Sequence, residues 1–296
     1  MDEWHVGDPE DWGDHVGVPD IAYMGYLQDD EENNEYEVPP HISKSNKLRD
    51  EAWKLRENGR YNDALIKINE ALEYSSDWRS YNIKAIIIED MNNYNGALYY
   101  YDQALKLYNS QVVKDNKARL LERMAEKCIS TNDYPKALEH INQALKLTDN
   151  ENNRNGFLRT KSDILQLMDR PREAYICNKL ANKQFNHVDE FEKQSKILKD
   201  TADTLICISG RKFYGNCAPT VEGSIVKLIK EPENEHDSDA IRVEFNQKTA
   251  GYVANSPHTK ISEAKSASEI KNMFENCTKA RILFVFMEDY LVAKLI

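Results

Sequence analysis

A phrase of small and aromatic residues recurs between Leu48 and Ala181 and limits what this chain can fold into. It reads Tyr61-Asn62-Asp63-Ala64-Leu65, then Ala71-Leu72. It returns as Tyr94-Asn95-Gly96-Ala97-Leu98 with Ala104-Leu105, and as Tyr134-Pro135-Lys136-Ala137-Leu138 with Ala144-Leu145. A degenerate fourth copy has Pro171 in the aromatic place, then Ala174 and Ala181. In every copy the two alanines are seven residues apart, two helical turns, so both lie on one helix face. Ala52, Ala85, Ala125 and Ser162 stand twelve residues before the first alanine of each pair. Small residues at fixed places on consecutive helices let their backbones approach closely. Catalysis asks for nothing of the kind.

The pattern resembles the tetratricopeptide repeat, a helix–turn–helix unit of about 34 residues that stacks into a superhelix. Counted from Ala64, Ala97, Ala137 and Ala174, the copies are offset by 33, 40 and 37 residues. The longer offsets place extra residues in linkers near Gln111–Asn116 and Asn150–Asn155. The departures from the family pattern are Asn92 in place of the turn glycine, Pro171, and no proline closing the first three copies. The resemblance implies an α-solenoid over residues 42–204. Ser43 or Ser45 caps its first helix, and a last helix over about 187–200 turns Val188, Phe191 and Leu198 inward. It also implies an extended peptide bound along the first helix of each pair. Arg49, Arg79, Asn82, Arg119 and Arg159 fall at those positions, with Arg56 and Arg123 nearby. Either they form a groove of forked donors for carboxylates, suited to an acidic peptide, an acidic protein or the chain's own N-terminal segment, or they are ordinary solvated side chains. Arg119 and Arg123 also resemble, weakly, the basic pair that clamps a terminal carboxylate in chaperone-binding repeats. Trp53 stands where that clamp needs asparagine, so the chaperone role is not carried over.

Charge divides the chain differently. Residues 1–41 hold 13 Asp/Glu and no Lys/Arg, leaving 37 acidic against 39 basic residues in the rest. The net charge of −11 is therefore one acidic segment on a near-neutral body and does not exclude a polyanionic ligand. Those 41 residues read as a largely disordered acidic tail. Trp4, Trp12, Ile21, Tyr23 and Tyr26 give it either the composition of a docking peptide or aromatics that pack on the protein's own surface. A metal site at His5, Asp8, Asp14 and His15 lacks a rigid element to set its ligands. No apolar run reaches the length of a membrane span, and the Met-Asp-Glu-Trp start is not a secretory signal. Five scattered cysteines without a C-x-x-C read as reduced thiols of a cytoplasmic protein and give no support for zinc.

Residues 205–296 change period. Thr204–Ser209, Ser224–Lys230, Ile241–Asn246, Ala250–Ala254, Arg281–Met287 and Leu291–Leu295 read as short strands, and Ser266–Phe274 as the one helix. Six such strands bury best as a closed or half-closed barrel. Glu231-Pro232-Glu233-Asn234-Glu235-His236-Asp237-Ser238-Asp239-Ala240-Ile241-Arg242-Val243 is a strand, a proline turn crowded with polar groups, and a second strand. Arg211-Lys212-Phe213-Tyr214-Gly215 precedes it and Gly251-Tyr252-Val253-Ala254-Asn255 follows. Together they resemble the HIRAN domain, whose pattern is acid-Pro-x-Asn-x-x-Asp-x-x-Ala-Ile-x-Val, then Gly-aromatic-Val/Ile. The resemblance implies capture of the free 3′ end of single-stranded DNA. Asp237 would read the terminal hydroxyl and His236 holds the aromatic place before it. Arg211, Lys212, Phe213 and Tyr214 form the basic-aromatic segment, and Tyr252 follows the glycine. The same residues also suit a structural turn, with Pro232 setting φ and Asn234 and Asp237 bonding their own backbone.

The chain lacks G-x-x-x-x-G-K-[ST], G-x-S-x-G and H-E-x-x-H, and its acidic loop lacks EF-hand spacing. The expected molecule is a non-catalytic adaptor without cofactor, metal or membrane. Its partner is a protein at the repeats, with single-stranded DNA at the barrel; the alternative is a pure protein–protein scaffold.

Overall fold

The computed structural model describes residues 38–215 and 217–296; residues 1–37 of the acidic segment, with its aromatics, His5 and His15, lie outside them. Helices in repeat-like pairs form a solenoid, and a closed six-stranded barrel follows. The pairs are α1 (Pro40–Glu57) with α2 (Tyr61–Tyr74), α3 (Trp78–Asp90) with α4 (Tyr94–Leu107), and α5 (Gln111–Ser130) with α6 (Tyr134–Leu147). Then come α7 (Glu151–Leu167), α8 (Pro171–Ala181) and α9 (Phe185–Asp200). Each alanine of the repeated phrase is at most 2% exposed, and Ser162 is 1% exposed. The small residues lie where helices meet, as the spacing predicts.

Each turn from first to second helix passes through the left-handed region, at Gly59, Asn92, Asn132 and Asp169. Asparagine and aspartate tolerate that conformation better than other side chains, which is how Asn92 stands in for glycine. The extra residues of the long offsets are not in linkers. They lengthen α5 to 20 residues and α7 to 17, against 13 for α3. The added turn of α5 is held by side chains. Gln111 Nε2 donates to the Leu147 carbonyl at 3.1 Å, and Thr148 Oγ1 to Asp115 at 2.7 Å. Ser43 and Ser45 do not cap α1. The helix starts at Pro40, where a missing N–H costs nothing, and Ser45 is buried with its hydroxyl on the Ala71 carbonyl at 3.0 Å.

Compactness divides the chain at Ile164/Leu165, whereas the change of period falls at 204/205. The second unit explains why. In it, α9 packs on the barrel through Phe191, which stacks on Phe286 at 5.2 Å between ring centroids. Arg172 of α8 pairs with Glu263 at 2.5 Å, and Lys179 holds Glu288 at 2.9 Å.

The barrel strands are β1 (Leu205–Ser209), β2 (Ile225–Lys230), β3 (Ile241–Phe245), β4 (Lys248–Val253), β5 (Cys277–Phe286) and β6 (Tyr290–Leu295). All pair antiparallel in the order β1-β4-β3-β2-β5-β6, closing on β1. Ile206, Val226, Leu228, Val243, Ala280 and Ile282 fill the interior. The helix expected at Ser266–Phe274 is shorter, α10 (Ala267–Ile270) followed by a 3-10 turn, and carries a full capping box from Ser266 and Glu269. Among the described residues no helix is long and apolar enough to cross a membrane.

Candidate functional site

In the first unit, most of the expected groove residues bond to neighbours near one repeat period away. Arg56 Nε donates to Asp90 at 2.6 Å, Arg123 Nη1 to Glu89 at 2.7 Å, and Asn116 Nδ2 to the Asn82 oxygen at 3.1 Å. Each of these joins residues 34 apart. Arg49 Nη1 reaches Asp77 at 3.3 Å, whose carboxylate also caps α3. The Arg79 guanidinium lies 4.6 Å from the Trp78 ring, and Arg119 donates to Asn116. The row of open forked donors is therefore not what Arg49, Arg56 and Arg123 provide, because carboxylates from neighbouring repeats already face them. Arg119 and Arg159 are exposed, and the Arg123 side chain keeps 56% of its surface.

Glu89 is the buried member of this network. Burial pushes its carboxyl above the ordinary 4.5, outweighing the Tyr101 hydroxyl at 2.9 Å and the Arg123 guanidinium. A raised folded-state pKa makes ionisation costlier in the folded chain than in the unfolded one. Glu89's contribution to stability therefore falls as pH rises from about 4.5 through its folded value. Glu89→Gln should accordingly be more favourable, relative to the native chain, at pH 7 than at pH 4. Urea melts followed by Trp53 and Trp78 fluorescence read this, and the opposite order would show that the Arg123 pair dominates.

In the second unit, polar and aromatic residues gather where β1, β2 and β4 end. Gly210 and Gly215, at φ of 73° and 62°, bracket the 3-10 turn Arg211–Tyr214. That turn leaves Phe213 88% exposed, with Lys212 exposed beside it. Arg211 is tied back to the Asp289 carbonyl at 3.0 Å. Tyr214 faces Tyr252 at 6.0 Å between centroids. Tyr252 donates its hydroxyl to Glu231 at 3.0 Å, and Asn234 and Arg242 donate to the same carboxylate at 3.1 and 2.6 Å. Burial would raise Glu231, but these donors outweigh it and hold its carboxyl below the ordinary range. Burial and Glu231 together push the Tyr252 hydroxyl up to about 12, so it stays a donor.

The proline loop is built on its own side chains. Asn234 Oδ1 accepts from the backbone of His236 at 3.0 Å and of Asp237 at 3.3 Å. Asp237 Oδ1 accepts from the Asp239 backbone at 2.8 Å and its Oδ2 from Asn255 Nδ2 at 3.0 Å. Asn255 in turn accepts from the Ser268 backbone at 3.1 Å. Asp237 is thus half-buried with one bond on each oxygen; a carboxylate has about four acceptor positions, so capacity for a ligand hydroxyl remains. His236 points into solvent. An unbroken series of contacts links Tyr214, Tyr252, Glu231, Asn234 and Asp237.

No protein-family model matches this chain, and no curated protein matches it. Among solved structures it is similar to BtubC (BKLC) from P. vanneervenii, at 14% identity over 52% of this chain and 68% of that one, TM-score 0.38. It is similar to MamA at 15% identity over 60% and 88%, TM-score 0.36. It is similar to PilF of Pseudomonas aeruginosa at 16% identity over 48% and 63%, TM-score 0.32. These values are too low to add to what the repeats themselves show.

Glu231, Arg242 and Asn255 were not among the expected site residues, although Glu231 opens the acid-Pro motif and Asn255 closes the Gly251-Tyr252 segment. A groove of about 460 Å³ lined by Glu51, Lys54, Leu55 and Ile66 shares no residue with either site. Among the described residues no group of three His, Cys, Asp or Glu is placed to hold a metal. Burial pushes the Cys207 thiol up to about 11, which suits packing and not nucleophilic chemistry.

Proposed function

We propose that this chain is a non-catalytic adaptor. Its tetratricopeptide-like array takes up a protein partner, and the loop end of its barrel, HIRAN-like in its motif, holds the 3′ end of single-stranded DNA. The observation that carries the second half is Phe213, an aromatic 88% exposed on a glycine-bracketed turn beside Lys212. A ring this exposed gains little from burial in the chain itself and leaves both faces open to a stacking partner. Stacking a base on a ring contributes about 1–3 kcal/mol whatever the base. Tyr214 and Tyr252 extend the platform, and Asp237 offers an acceptor at its edge. At the repeats, the exposed side-chain surface of Arg119, Arg123 and Arg159 is what an acidic peptide, including the chain's own N-terminal segment, would meet.

Fluorescence anisotropy with short oligonucleotides ending in a 3′-hydroxyl or a 3′-phosphate tests the reading. The full chain should prefer the hydroxyl, because Asp237 repels a terminal phosphate. Phe213→Ala should weaken both about 5- to 150-fold, and Asp237→Asn should erase the preference. Absence of binding to either oligonucleotide removes DNA from the account. The self-bonded Asn234 and Asp237 favour one other reading, a barrel that serves only as a protein-binding module. Under it, Phe213→Ala leaves oligonucleotides unaffected and instead costs a protein contact.

A further inference from the structure

Among the described residues of the second unit, α9 covers one side of the barrel's outer wall. Phe191 and Leu198 of α9 pack with Leu205, Cys207, Phe286 and Val292, sealing β1, β6 and the end of β5. On β2 and the first half of β5, Val226, Leu228, Ala280 and Ile282 are buried in the core, while Lys227, Lys279 and Arg281 alternate with them and are exposed. Lys227 lies directly across from Lys279 in the ladder, and Arg281 is opposite Ile225 and Lys294. Like charges directly opposite one another destabilise a sheet. The nearby carboxylates do not relieve them. Glu244, across from Lys227, is held by Arg242 at 3.1 Å, and Asp203 by Lys294 at 2.7 Å. Among the described residues Lys227, Lys279 and Arg281 are in no ion pair.

We propose that Lys227, Lys279 and Arg281 form a phosphate track that carries the backbone of a single-stranded nucleic acid away from the loop site. The inference rests on the reading of that loop as a DNA-end site. Strand β2 runs straight into Glu231, so Lys227 lies about 13 Å from the loop at ~3.3 Å per residue. Lys279 and Arg281 point outward at alternate positions on β5, about 7 Å apart, so cations recur along the wall as phosphates recur along a strand. Phosphodiesters stay ionised at every working pH, and binding through them needs no base-reading pocket. A membrane surface fits less well, since Ile225 is the one large apolar side chain exposed among these cations on β2 and β5.

The test is the salt dependence of a 20-nucleotide oligo-dT binding to the full chain, native against the triple variant Lys227→Gln, Lys279→Gln, Arg281→Gln. Each phosphate contact on a single strand contributes about 0.7 to the slope of log K against log salt, so the variant's slope should be shallower by ~2. Its preference for a 3′-hydroxyl should persist. An unchanged slope with the end preference intact overturns the track and leaves the end site standing. No binding by the native chain overturns both. If poly-glutamate of equal charge displaces the oligonucleotide as well as oligo-dT does, the wall belongs to acidic polypeptides and the track is overturned.

Discussion

Gly251→Ala is expected to open the barrel. At φ of 147° and with its ideal Cβ position only 2.4 Å from the Ser209 carbonyl oxygen, Gly251 has no room for a side chain. The obstruction is backbone, which cannot swing aside as a side-chain tip would. Gly251 pairs with Val243, and its neighbour Tyr252 pairs with Ser209. This is where β4 turns from β3 to β1 and the sheet closes. Adding the strain of an unfavourable φ, about 1–3 kcal/mol, to overpacking of about 1–3 kcal/mol gives a loss of roughly 2–6 kcal/mol. All four tryptophans, Trp4, Trp12, Trp53 and Trp78, precede residue 165. Amide exchange in β1 and β4 should therefore accelerate sharply while the tryptophan-detected urea transition stays in place. Unchanged exchange would mean that the β1–β4 seam does not hold the barrel. Tyr252 is carried by the same seam, so the variant should also lose the loop site.

The second large effect is at α9. Phe191 is 7% exposed and lies against Phe286, which is fully buried, and against Tyr175 at 5.6 Å. Truncating such a ring costs about 3–5 kcal/mol, from lost burial and the cavity left behind. Phe191→Ala should destabilise the barrel amides by that amount, although the substitution lies outside the barrel. A double-mutant cycle with Phe286→Leu should show a coupling of about 0.5–1.5 kcal/mol, the share owed to the aromatic pair. A loss below about 1 kcal/mol would mean that α9 is a closing helix of the repeats alone, with the division at 204/205 where the period changes.

That contrast shows what the linear pattern holds. Alanine spacing is a local signal, so Ala64, Ala97, Ala137 and Ala174 locate helices without knowledge of tertiary contacts. The excess residues at Gln111 and Glu151 read as linkers because polar segments suit loops and helix ends alike. The bonds made by Gln111 and Asp115 across to the 147–148 turn decide for helix. Phe191 looks like any inward residue of an amphipathic helix; its partner Phe286 comes 95 positions later, and no periodicity connects them. Arg49, Arg79, Arg119 and Arg159 lie on the first helices, but a single position does not reveal its partner in the next repeat. Arg56–Asp90 and Arg123–Glu89 repeat at 34 residues, an offset available from the sequence once pairing between adjacent repeats is considered. In the barrel, the acid-Pro-x-Asn-x-x-Asp motif was legible as a turn and as a ligand site. The structure shows the turn chemistry in full at Asn234 and Asp237, and it adds Glu231 as the group that ties Tyr252 to the loop.

Hydrogen–deuterium exchange of the full chain, with and without a short oligonucleotide ending in a 3′-hydroxyl, tests the loop site most directly. Protection is expected to be confined to residues 211–215, 231–240 and 252–255, and to be weaker when the 3′ end carries phosphate. Protection absent from all three segments, or spread over the helical repeats instead, would contradict it.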